Sequence, residues 1–126
     1  MTIAEWCLFG AVLLPIATIG WAKVAGRHAY DNGRPREAVF YAVPFRQRLL
    51  GAHNNGLETF PFFAAAVLLA EFRNAPQDTV DSLTVAFLTL RVGYVLAYAG
   101  DRPTLRSLLW TAAFLVNVAI FLQPAL

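Results

Sequence analysis

Three long apolar runs and one half-polar run, separated by polar breaks, organise this chain. A helix needs about 20 mostly apolar residues to cross a bilayer. The first such run lies over about residues 3–22, with Trp6 and Trp21 near its ends, where indole rings favour the membrane interface. Pro15 falls inside it and predicts a kink or support from a neighbouring helix. A polar segment follows over about 23–45, with Asn32-Gly33 and Arg34-Pro35 as turn signals. Those dipeptides argue against one continuous helix and mark the longest and most mobile loop.

The second helix is expected over about 45–72. Its first half carries Arg46, Gln47, Arg48, His53, Asn54, Asn55 and Glu58, and its apolar second half is interrupted by Pro61. It is longer than a crossing requires, so its polar end should protrude. The third and fourth helices are expected over about 79–99 and 105–122, and Pro124 stops the last. Short links make successive helices antiparallel neighbours. The pattern predicts one all-α domain over 1–126, an integral membrane four-helix bundle without internal repeats.

Composition strengthens that reading. The chain is 58% hydrophobic and 14% charged, against about 25% charged in a soluble domain. A soluble fold of this size cannot hide so much apolar surface, whereas lipid needs no polar coat. The opening Met1-Thr2-Ile3-Ala4-Glu5 lacks the positive charge of a cleaved leader, so the first run is expected to stay in the mature protein. Net charge is +2, but the basic residues gather between apolar runs, which argues against a nucleic-acid footprint. Lys23, Arg27, Arg34, Arg36, Arg46, Arg48, Arg102 and Arg106 fall on one side of the bundle, while the other has Arg73 beside Glu71, Asp78 and Asp81. The positive-inside rule then puts the long loop in the cytoplasm and both termini outside.

Candidate chemistry is sparse. The single cysteine, Cys7, allows no internal disulfide and reads as a small buried hydrophobe. His28 and His53 lack neighbours at ligand spacing, so no metal is expected. His53 reads instead as an interfacial or intersubunit hydrogen-bonding residue. A charge near the bilayer centre costs about 2.5 kcal/mol or more, so Glu58 and Arg91 stand out. The simplest expectation is that they face each other, either as a packing lock or as part of a site.

Arg48, Gly51, Asn55 and Glu58 share one face of the second helix. Arg91, Tyr94 and Tyr98 share a face of the third, and Arg106 and Ser107 open the fourth. Basic, amide, carboxylate and phenol groups thus converge in the cytoplasmic half. That suits a small anionic or zwitterionic ligand with peptide-like polar groups. Tyr98 reads equally, and Tyr94 less readily, as part of an aromatic belt.

These residues resemble the MAPEG family, the membrane-associated proteins of eicosanoid and glutathione metabolism, in a bacterial-type form. The resemblance is carried by Arg48-Leu-Leu-Gly-Ala-His-Asn-Asn55-Gly-Leu-Glu58-Thr-Phe-Pro61-Phe, then by Arg91-Val-Gly-Tyr94-Val-Leu-Ala-Tyr98 and Arg106-Ser107. It implies a four-helix subunit in a homotrimer in the inner membrane, with glutathione as co-substrate at the subunit interfaces. By position, Asn55, Glu58, Arg91, Tyr94 and Tyr98 hold its amide and carboxylate groups, and Arg48 and Arg106 supply positive charge. In catalytic members an arginine at the place of Arg106 stabilises the glutathione thiolate, and a lipophilic electrophile enters from the bilayer. One departure stands out: Gly51 occupies a place where catalytic relatives commonly carry an arginine, with Arg48 one turn earlier as the candidate substitute. The resemblance therefore implies a glutathione-dependent transferase or peroxidase, or alternatively a non-catalytic lipid-binding protein or accessory subunit. A transporter or channel is the weakest reading, because no paired broken helices are present.

Overall fold

Local sequence marks where the helices begin and turn. In the computed structural model, which describes residues 1–126, the helices are α1 (Ile3–Ala25), α2 (Pro44–Phe72), α3 (Gln77–Ala99) and α4 (Pro103–Leu122). Thr2 and Glu5 cap α1 reciprocally: Thr2 Oγ1 accepts from the Glu5 N–H at 3.1 Å, and the Thr2 N–H donates to Glu5 Oε2 at 2.8 Å. Pro44 and Pro103 open α2 and α4, where a missing N–H costs nothing.

The links after α2 and α3 are alike. Asn74 (φ 53°) and Asp101 (φ 55°) each take the left-handed conformation just past the helix end. The Ala75 N–H then returns to the Ala70 carbonyl, and the Arg102 N–H to the Ala97 carbonyl. Such turns reverse the chain within a few residues and set consecutive helices side by side.

Two prolines lie inside helices, Pro15 in α1 and Pro61 in α2. Pro15 is supported by α2. A Cβ at Gly56 would sit 3.0 Å from Pro15 Cβ, so the missing side chain lets the two helices meet there. His53 Nδ1–H donates to the Pro15 carbonyl at 2.7 Å. His53 thus bonds within its own chain: one turn before Gly56, it reaches the same stretch of α1.

The core is a seam of small and aromatic side chains. Phe63 and Phe87 stack at 4.0 Å between α2 and α3, flanked by Ala4, Ala11, Ala66, Ala70, Ala113 and Ile120. Cys7 is free and buried. Outward-facing apolar residues such as Phe9, Ile16, Leu96, Leu108 and Leu115 are exposed. Three segments, Ile3–Ala25, Gln77–Ala99 and Pro103–Ala125, are long and apolar enough to cross a membrane, with mean hydropathy of 1.8, 1.5 and 1.8. The polar first half of α2 keeps it out of that group. The chain is an all-helical, integral membrane protein.

The α1–α2 segment is shorter than its sequence suggests, because α1 runs on through Lys23 to Ala25. It folds back on the bundle. Phe40 and Tyr41 are buried in a short 3-10 turn, Arg46 stacks on Phe40 at 4.5 Å, and Tyr41 donates its hydroxyl to the Pro35 carbonyl at 3.3 Å.

Candidate functional site

α2, α3 and α4 each bring polar side chains to one lateral crevice. A cavity of about 260 Å³ is lined by Asn55, Glu58, Thr59 and Phe62 of α2, Phe87 and Arg91 of α3, and Trp110, Ala113, Phe114 and Asn117 of α4. Phe62, Trp110 and Phe114 are partly exposed and form its outer lip. Glu58 is also exposed, on the rim.

Arg91 is 4% exposed. It donates Nη2–H to Asn55 Oδ1 at 2.9 Å, and its guanidinium lies 4.2 Å from the Tyr94 ring centre. This corrects the expected Glu58–Arg91 pair. The ion pairs present are Met1–Glu5, Arg34–Asp31 and Arg34–Glu37, none of them between two helices. The cause is height along α2. Three residues rise by about 4.5 Å, and it is Asn55, one turn before Glu58, that reaches the guanidinium. A neutral amide therefore meets the buried cation, and the carboxylate stays free at the rim.

Toward the α3–α4 turn the polar groups continue as a stack. Tyr94 and Tyr98 meet edge to face at 5.7 Å, and the Arg106 guanidinium lies 4.5 Å over the Tyr98 ring. Arg91, Tyr94, Tyr98 and Arg106 thus form one column of two guanidiniums and two phenol rings. Cation–π contacts of this kind strengthen when desolvated. The column continues upward from the polar end of the cavity.

Arg48 stands apart from that group. Its Nε–H donates to the Ala99 carbonyl at 3.2 Å, so it caps the C-terminal end of α3 and meets the negative end of the helix dipole there. Like Tyr94, Tyr98 and Arg106, it is not among the residues that line the cavity. Gly51 itself is filled from outside: a Cβ there would collide with the Tyr98 hydroxyl. The absent side chain is the space into which Tyr98 points.

One buried polar residue of the cavity has no counterpart in the sequence reading. Asn117 is 3% exposed, in the apolar fourth helix, and its Oδ1 accepts no hydrogen bond. A single amide in a hydrophobic run gives no periodic signal, so only the packing reveals it. No group of three or more His, Cys, Asp or Glu residues is placed to hold a metal.

A family model described as the MAPEG family matches residues 3–126. No curated protein and no solved structure matches the chain.

Proposed function

Because the chain belongs to the MAPEG family, we propose that it is a membrane-bound glutathione-dependent transferase or peroxidase acting on lipophilic electrophiles. The observation that carries this reading is the Arg91–Tyr94–Tyr98–Arg106 column rising from a cavity whose outer lip is aromatic. It pairs a cationic polar wall with an apolar chamber, as a polar thiol and a lipid-soluble acceptor require.

The donor set fits a zwitterionic tripeptide. Glu58 offers a free carboxylate to an ammonium, Asn55 an amide to a peptide group, and the guanidiniums meet carboxylates. Glutathione supplies the thiol. Arg106 holds positive charge beside it, which favours the thiolate over the thiol and raises the nucleophile population at neutral pH. In conjugation the thiolate attacks an electrophilic carbon, a C–S bond forms, and the leaving group departs with its electron pair. The thiol proton passes to water.

The homotrimer belongs to the same proposal. Glu58 faces outward from the single chain at the cavity rim, where a second subunit would complete the enclosure around it. The charge asymmetry supports a cytoplasmic α1–α2 loop with both termini outside. The test is conjugation of glutathione to hydrophobic aryl halides in lipid-reconstituted protein. The wild type turns over, and Arg106→Ala loses at least about 100-fold, the low end for removal of an electrostatic stabiliser. Absence of turnover with several such acceptors refutes the catalytic reading.

A second reading rests on Gly51. The Tyr98 hydroxyl occupies that space, and the Arg48 Nε–H is engaged by the Ala99 carbonyl. This favours a non-catalytic lipid-binding or accessory protein, and a glutathione affinity in the millimolar range or tighter would argue against it.

A further inference from the structure

Four polar side chains are buried in this chain: Thr18, Thr84, Arg91 and Asn117. Three are satisfied. Thr18 donates to the Leu14 carbonyl at 2.7 Å and Thr84 to the Asp81 carbonyl at 2.9 Å, each on its own helix, while Arg91 donates to Asn55. The Asn117 oxygen has no such partner. At this depth there is no bulk water to satisfy it, and an unpaired amide in an apolar medium is costly.

The same residue lines the cavity, at the end away from Glu58 and Arg91. Asn117 lies seven residues beyond Trp110, which is about 10 Å along α4. Between them the wall is aromatic. Trp110 and Phe114 stack with rings 2° from parallel, and Phe62 faces Phe114 at 6.1 Å. A dry cavity of roughly 150 Å³ holds a benzene ring; this one is about 260 Å³. It has room for a planar ring and a substituent.

The geometry points to a binding site in this cavity for a lipid-soluble aromatic alcohol, a phenol whose ring lies among Phe62, Phe87 and Phe114 and whose hydroxyl bonds the Asn117 amide. Rotating that amide exchanges its oxygen and nitrogen. A hydroxyl both donates and accepts, so it satisfies either orientation. The lip formed by Phe62, Trp110 and Phe114 gives the ligand an entrance from the bilayer. This goes beyond the thiol chemistry proposed above and needs no glutathione.

The test uses 4-bromophenol and 4-bromoanisole, which share a body and differ in the hydrogen-bond donor. Trp110 is made the only tryptophan by Trp6→Phe and Trp21→Phe, both exposed positions. Bromine quenches indole fluorescence on contact, so saturable quenching in lipid nanodiscs reads occupancy. All titrations omit glutathione, so failure here leaves the conjugation reading standing, and failure of conjugation leaves this site standing. The expected result is saturable quenching by the phenol, with a phenol-over-ether preference that falls about fivefold in Asn117→Leu. Asn117→Thr should lose the same preference, because its hydroxyl can turn back to its own helix. Ala113→Leu, which fills the cavity, should remove saturable quenching by both probes. Three results overturn the proposal: no saturable quenching in the parent, an unchanged preference in Asn117→Leu, or weakened self-association of Asn117→Leu, which would assign the amide to a second copy of the chain.

Discussion

Asn55→Leu separates the observed arrangement of the buried cation from the obvious one. Arg91 is almost fully enclosed, and its side-chain hydrogen bond runs from Nη2 to Asn55 Oδ1 at 2.9 Å. Leucine has the same branched shape and number of side-chain heavy atoms and removes the acceptor. The loss is one hydrogen bond to a charged donor, worth about 1.5–3 kcal/mol. The contact with Tyr94 remains and caps the damage. For a chain of this length each kcal/mol moves the midpoint by about 3–5 °C. Asn55→Leu should therefore unfold about 5–15 °C below the wild type in detergent, followed by the near-ultraviolet signal of the aromatic side chains. Glu58→Gln should stay within about 0.5 kcal/mol, because Glu58 is exposed and makes no ion pair in the chain. The reasoning fails if Glu58→Gln is the more damaging of the two. That outcome would mean that the carboxylate, not the amide, holds the guanidinium.

Three further substitutions probe the contacts around this centre. Gly51→Arg should destabilise by about 1–3 kcal/mol through collision with Tyr98, and adding Tyr98→Ala should recover at least half of the loss; independent, additive effects would refute the collision. Gly56→Leu should overpack the α1–α2 crossing at Pro15 by about 1–3 kcal/mol, visible as a lower thermal midpoint, and an unchanged midpoint would mean the helices do not meet there. His53→Phe should cost about 1 kcal/mol by losing its bond to the Pro15 carbonyl, with self-association unchanged; loss of self-association would give His53 an intersubunit role.

Helical periodicity makes faces legible but leaves heights open, and the candidate site turns on heights. The stripe through Arg48, Gly51, Asn55 and Glu58 is visible from spacing alone, as is the one through Arg91, Tyr94 and Tyr98. Spacing does not say which member of one stripe stands level with which member of the other. A slide of about 4.5 Å decides whether Arg91 meets Asn55 or Glu58, and whether Tyr98 meets Gly51 or another residue. Asn117 was out of reach for a different reason: its isolation became visible only once Phe87, Ala113 and Phe114 closed around it.

The choice made at Arg91 also has a chemical consequence. A Glu58–Arg91 ion pair would cancel both charges and leave a locked, neutral seam. Pairing the guanidinium with a neutral amide leaves its positive charge in place and spares the carboxylate. The cavity then presents separate positive and negative groups on neighbouring helices, with a second cation, Arg106, further along the stack. That separation is what a zwitterionic ligand can exploit. It also explains why the same residues that look like a structural lock in the sequence become candidate ligand contacts in the fold.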